Sequence, residues 1–220
     1  MKKPRVRQHV NPLSKQHLRS ISLPNWSDVY LNPKQPLHLD LGCARGRFIL
    51  QMATLLPEIN FLGVEIRDIL VKEAIQARDK LELKNLHYLS GNINYASSEL
   101  LFSLPEKVLH WITVQFPDPW FKHKHIKRRM LQPDLVDNLV KYLQDEGTFF
   151  IQSDIEEVAL EMTQLLKTNK LLQLKSFDND SKWLESSPFT IATEREIGVL
   201  NKDKPVYRAI FVKRSHALEI

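Results

Sequence analysis

One aspartate between two prolines, at the end of an apolar run and directly ahead of a cluster of cations, is the densest chemistry in this chain: VQFPDPWFKHKHIKRR, residues 114 to 129. Proline fixes its own φ and pushes the residue before it toward extended backbone. Phe116 and Asp118 are therefore expected to be extended, with the Asp118 carboxylate presented on a stiff support. A carboxylate held still can stabilise positive charge developing on a reacting group. Behind it, Lys122, Lys124, Lys127, Arg128 and Arg129 can grip phosphates, while Trp120 or Phe121 offers a ring for an unstacked base. Packing of Trp120 into the core is the equally open alternative.

Four further places carry chemistry. In DLGCARG, Gly42 and Gly46 permit a tight turn and a close backbone approach to a ligand, with Asp40 just before them. Ala44 stands at the middle position of a dinucleotide fingerprint and the spacing is not G-x-G-x-x-G, which disfavours a pyrophosphate cofactor. Roughly 20 residues on, Glu65 ends an apolar run, where a carboxylate can accept hydrogen bonds from both hydroxyls of a ribose. Asn92 follows Gly91, placed either to read an adenine edge or to form a turn. Asp154 and the TERE segment, Thr193 to Glu196, supply acceptors suited to the N1–H and exocyclic amine of guanine, and either could instead cap a helix.

These residues need a frame, and strand-like and helix-like patterns alternate to provide it. Strands are expected at 37–42, 60–65, 86–91, 109–115, 147–153, 171–177 and 205–213. Helices are expected at 47–56, with Phe48, Met52 and Leu56 on one face, along the segment from Ile66 to Leu81, at 133–143 with Pro133 in the first turn, and at 155–168. That order predicts an α/β fold, a doubly wound and mostly parallel sheet with helices on both faces. Ligands of such sheets bind outside the carboxyl ends of the strands, where Asp40, Glu65, Asn92, Asp118 and Asp154 all fall.

Composition narrows the class of partner. A chain of 220 residues, 43% hydrophobic, can bury a sizeable core in one domain. No apolar run approaches the ~20 residues of a membrane span, and the basic N-terminus lacks the apolar block of a secretory signal. Cys43 is the single cysteine, so no intrachain disulfide is possible and a cytoplasmic location is expected. No spacing of His and Cys fits a metal site. The net charge of +5 is unevenly placed: residues 1–20 and 122–129 contain no acid yet hold eleven of the 31 basic residues, leaving the rest with 20 basic against 26 acidic residues. Two basic segments on an acidic body point to a polyanionic partner such as nucleic acid.

Taken together, DLGCARG, GVE, GNIN, FPDPWFKHKHIKRR and TERE resemble the bacterial tRNA (guanine-N7-)-methyltransferases, from about residue 37 to the C-terminus. The resemblance implies a class I, Rossmann-like seven-stranded fold over residues 37–220, a basic extension over 1–36, S-adenosylmethionine as cofactor and tRNA as substrate, methylated at guanine N7 in the variable loop. It implies a monomer or homodimer without metal. Asp40, Gly42, Gly46, Glu65, Asn92 and Asp118 then fall in the cofactor site, with Asp118 also catalytic, and Lys122, Asp154, Thr193 and Glu196 contact the RNA. Asn92 stands where that family often has an acid and Arg195 where it often has an aromatic residue. Two other readings compete: methylation of an exocyclic amine of a base, and non-catalytic nucleic-acid binding, which gives no reason for the glycine turn and Glu65.

Overall fold

The computed structural model describes residues 10–175 and 182–215. The cations Lys2, Lys3, Arg5 and Arg7 and the end of the strand expected at 171–177 lie outside the described residues. The elements, in order, are α1 (Trp26–Val29), β1 (Leu37–Leu41), α2 (Arg47–Leu55), β2 (Asn60–Glu65), α3 (Asp68–Lys80), β3 (Leu86–Ser90), α4 (Ile93–Ser103), β4 (Leu109–Gln115), α5 (Pro133–Tyr142), β5 (Thr148–Ser153), α6 (Glu156–Thr168), β6 (Leu172–Leu174), α7 (Glu194–Leu200) and β7 (Tyr207–Lys213). Short 3-10 turns occupy Lys15–His17 and His123–Arg128.

The seven strands form one sheet in the order β3-β2-β1-β4-β5-β7-β6. Pairings among β1 to β5 are parallel, and β7 runs antiparallel between β5 and β6. The order reverses between β1 and β4, so the crevice for a ligand opens at the carboxyl tips of those two strands. Leu37–Leu41 and Asn60–Glu65 are buried along their whole length, the mark of central parallel strands covered on both faces. Each Leu, Ile or Phe moved from water into this interior contributes about 1.5–3 kcal/mol. One face carries Leu39, Leu62, Ile112 and Phe149 with α4, α5 and α6, and the other packs Phe61, Leu86 and Tyr88 against α2 and α3.

Several expectations are corrected. The helix α4 was not legible, because Asn and Ser interrupt its apolar positions; Ile93, Ala96, Leu100 and Leu101 nevertheless share a buried stripe, and the Asn92 side chain caps it. The last strand starts at Tyr207 rather than at Pro205, whose ring cannot donate to the ladder. For TERE the capping alternative holds: it opens a helix, α7, with Thr193 and Glu196 forming a capping box. Phe116 is not extended before its proline: its φ is +50°, and Trp120 beyond the second proline stands at +41°. A non-glycine residue in that region costs on the order of 1–3 kcal/mol and persists where its surroundings over-determine it. Here the Phe116 amide is still tied to the Gln152 carbonyl at 2.8 Å, so the chain leaves the sheet by an abrupt turn directly before Pro117.

Residues before β1 are built into the body: Ile21, Trp26 and Tyr30 are buried in the larger core. Trp26 stacks on Tyr30, its indole N–H donates to Ser103 Oγ, and the Tyr30 hydroxyl donates to the Phe61 carbonyl. No helix among the described residues is long and apolar enough to cross a membrane.

Candidate active site

The tips of β1, β2 and β4 meet around the turn Gly42–Gly46. Both glycines have positive φ, +76° and +64°, and neither has room for a side chain. A Cβ on Gly42 would come within 2.9 Å of Met130, and one on Gly46 within 2.2 Å of the Tyr88 ring. The turn is thus held against β3 from below and lies open above, the shape needed for a ligand to approach backbone atoms closely.

Around it two spaces join. A cavity of about 110 Å³ is lined by Glu65, Asn92, Asp118 and Trp120, and a wider cleft of about 550 Å³ by Asp40, Asp118, Asp154 and Thr193. Gly42, Arg67, Gln115 and Asp118 line both. Asp118 therefore stands where the smaller cavity meets the wider cleft.

Glu65 is 3% exposed, and its carboxylate is fully engaged. Oε1 accepts from the Arg67 amide and Nε, both at 2.9 Å, and Oε2 accepts from the Ala44 amide and Arg67 Nη2, both at 3.0 Å. Burial works against the Arg67 charge, but Glu65 and Asp118 outweigh it and raise its pKa. Arg67 was not singled out from sequence, since a single arginine after a strand carries no signal. Any group reaching Glu65 from the cavity must share the carboxylate with Arg67.

Asp40 is buried and receives a 2.6 Å hydrogen bond from Thr113 Oγ1 and a 3.4 Å one from Gln115 Nε2. Burial pushes its carboxyl up to about 6, with Glu65 adding to the rise and Thr113 and Gln115 opposing it. Thr113 has one proton to give and directs it to Asp40, so Nε2 of His38, 3.1 Å from the same oxygen, carries the hydrogen on that side. Thr113 and Gln115 were also missed, although their alternation with Ile112 and Val114 marks the face that Asp40 shares.

Asn92 is buried at the cap of α4; its Oδ1 accepts from the Asn94 amide and its Nδ2 donates to the Pro12 carbonyl at 3.0 Å. Trp120 is half-buried, with the Arg128 guanidinium 5.1 Å from its ring centroid and His125 at its edge, while Phe121 is 65% exposed. Lys122, Lys124 and Lys127 project into solvent. Arg129 turns inward to Glu161 at 2.7 Å.

The guanine-side candidates converge from two elements. Asp154 does not cap α6, which begins at Glu156, and instead pairs with Arg195 from α7. Thr193 lies beside them in the cleft. The Glu196 carboxylate is buried, bound to Arg208 at 2.7 Å and returned to the Thr193 amide. Glu194 is exposed and paired with Arg47. Among the described residues no group of three His, Cys, Asp or Glu is placed to hold a metal.

A Rossmann-like sheet with an antiparallel seventh strand, and carboxylates at the tips of its first two strands, defines the class I methyltransferases. The same architecture is found in a SAM-dependent methyltransferase from Aquifex aeolicus, with a TM-score of 0.53 at 12% identity over 83% of this chain and 85% of that one. It is found also in precorrin-6y C5,15-methyltransferase from Geobacter metallireducens, with a TM-score of 0.51 at 12% identity over 86% and 85%. Residues 34–209 match the family model described as putative methyltransferase. Relatives named tRNA (guanine-N(7)-)-methyltransferase include one from Microcystis aeruginosa, 52% identical over 96% of this chain and 99% of the relative, and one from Thermosynechococcus vestitus, 52% identical over 93% and 92%. The chain belongs to the tRNA (guanine-N7-)-methyltransferase family.

Proposed function

We propose that the protein transfers a methyl group from S-adenosylmethionine to N7 of a guanine in tRNA, in the variable loop, yielding 7-methylguanosine. The observation that carries this reading is the placement of Asp118 where the space beside Glu65 opens into the cleft beside Asp154 and Thr193. A carboxylate there faces a nucleoside on one side and a base on the other. The donor set fits the cofactor: acceptors at Glu65 and Asp40, and a glycine turn that no Cβ could enter. When bound, S-adenosylmethionine supplies a methyl group already activated on a sulfonium.

The residues have little else to do but position. Guanine N7 brings its own lone pair at neutral pH, so no side chain must first remove a proton. Holding the two reactants in line supplies on the order of 7–11 kcal/mol of barrier reduction. A purine methylated at N7 carries positive charge, and the fixed Asp118 carboxylate would stabilise that charge as it develops. Asp154 and the Thr193 end of α7 accept from the Watson–Crick edge, with Arg195 giving up Asp154 as guanine enters. Lys122, Lys124 and Lys127, with Arg128 beside Trp120, hold phosphates at the rim, whereas Arg129, expected among them, is turned to Glu161. This reading places the protein in the cytoplasm with tRNA.

The test replaces the target guanosine in a tRNA transcript with 7-deazaguanosine, which has C–H at position 7 and keeps the Watson–Crick edge and exocyclic amine. Product should vanish while RNA binding through phosphates persists. An enzyme acting on the exocyclic amine would still methylate the analogue, and transfer at a near-normal rate would overturn the N7 assignment.

A further inference from the structure

On the face of the sheet that carries α2 and α3, neighbouring strands present polar side chains at one edge, and from β1 to β7 these touch. Gln115 of β4 and Gln152 of β5 are register partners, as are Gln152 and Arg208 of β7. Arg208 Nε donates to Gln152 Oε1 at 3.2 Å and Nη2 to Glu196 Oε1 at 2.7 Å. Gln152 Nε2 donates to Gln115 Oε1 at 2.8 Å and to Glu196 Oε2 at 3.2 Å. Gln115 Nε2 faces Asp40.

The direction of this chain is forced. A guanidinium has donors and no acceptor, so Gln152 meets Nε of Arg208 with its oxygen and turns its amide nitrogen to Gln115. Gln115 answers with its oxygen, which leaves its nitrogen for Asp40. A second chain, His38 to Thr113 to Asp40, ends on the same carboxylate. Arg208, Gln152 and Glu196 are 4%, 0% and 2% exposed, so water does not scramble the order. A buried ion pair adds little net stability over apolar residues of similar volume. What Arg208 supplies is orientation.

Resting on the reading that Asp40 receives the cofactor and α7 the guanine, we propose that Arg208 is a positioning residue serving both: it aligns the Gln152 and Gln115 amides so that Asp40 stays ionised, and it fixes Glu196 beneath the Thr193 end of α7. The groups around Asp40 come from four strands. Glu65 on β2 opposes its ionisation, Thr113 and Gln115 on β4 favour it, Tyr88 on β3 feels its charge, His38 on β1 reaches it through Thr113, Cys43 follows on the turn, and Arg67 is bound to Glu65.

The experiment is calorimetric titration of S-adenosylmethionine into the full chain between pH 5.5 and 8.5, comparing wild type with Gln152→Met, which breaks the chain with little change of volume. At pH 8 the affinities should agree within about twofold, since Asp40 is ionised in both. At pH 6 the variant should bind about fivefold more weakly, its midpoint moved up by about one pH unit. Arg208→Lys keeps a cation for Glu196 but replaces the guanidinium fork, whose separate nitrogens reach Glu196 and Gln152, with one nitrogen; it should move the midpoint the same way and raise the KM for tRNA at pH 8. A purely structural role would lower Tm in both variants and leave the midpoint in place. An unmoved midpoint in folded Gln152→Met overturns the proposal, and if that variant fails to fold, an unmoved midpoint in Arg208→Lys does so. Absence of binding by wild type would instead overturn the proposed function, and this inference with it.

Discussion

The hydroxyl of Tyr88 donates to the carbonyl of Gly46 at 2.8 Å, and its ring fills the space a side chain at Gly46 would need. One residue from β3 thereby sets the floor of the glycine turn that follows β1. Gly46→Ala should strain a backbone at φ +64° and drive Cβ into the ring, costing about 1–3 kcal/mol or more. Tyr88→Phe removes only the hydrogen bond and should cost about 1 kcal/mol. Urea denaturation measures both, and cofactor affinity should fall much further in Gly46→Ala. Equal, small effects would mean the turn is not held from below.

Asp118 lies on a loop whose flanking residues, Phe116 and Trp120, both stand at positive φ. Asp118→Ala should lower methyl transfer at saturating tRNA and cofactor by about two orders of magnitude or more, with a wild-type melting curve. Near-normal turnover by the folded variant would remove Asp118 from the chemistry.

The basic segment divides in two. Arg128 lies over Trp120 and Arg129 binds Glu161, whereas Lys122, Lys124 and Lys127 are exposed. Replacing the three lysines with Ala should make the slope of log affinity for tRNA against log salt shallower by up to about 0.7 per lost contact with single-stranded RNA. S-adenosylmethionine affinity should barely change, because it carries no phosphate. An unchanged salt slope would class the lysines as a solvated face.

Stability should fall in mild acid, and His38 sets the direction. Burial lowers its pKa from 6.5 to about 3, so between those values the unfolded chain binds a proton that the folded chain refuses. The contribution is fully present above about pH 6.5 and is lost as pH falls toward 3. His87, lowered to about 4 by burial and by Arg78, acts the same way. Asp40 acts oppositely: raised from 3.8 to about 6, it binds its proton first in the folded chain, over a narrower span. Urea denaturation from pH 8 to 4 should show a net decline below about 6.5, and His38→Gln, which retains an N–H toward Thr113, should make that decline shallower. An unchanged acid limb would refute the assignment.

The sequence alone determined the frame and which residues gather along its carboxyl edge. Short apolar runs alternating with helical ones dictate a covered parallel sheet, and in such a sheet residues at strand ends must gather along one edge, as Asp40, Glu65, Asn92, Asp118 and Asp154 do. Proline and glycine marked the special backbone because their constraints are local. Partnership was decided only in three dimensions. Nothing local distinguishes Arg67, which binds Glu65, from any other surface arginine, or reveals that Arg208 lies beside Gln152, 56 residues away along the chain. TERE carries a helix-capping signature and a set of hydrogen-bond acceptors in the same four letters, and folding gives Thr193 and Glu196 the cap while bringing Arg195 to Asp154. Hydrogen-bond direction, too, belongs to the tertiary structure. A glutamine amide can point either way, and only the donor-only guanidinium packed against Gln152 fixes which way Gln115 faces Asp40.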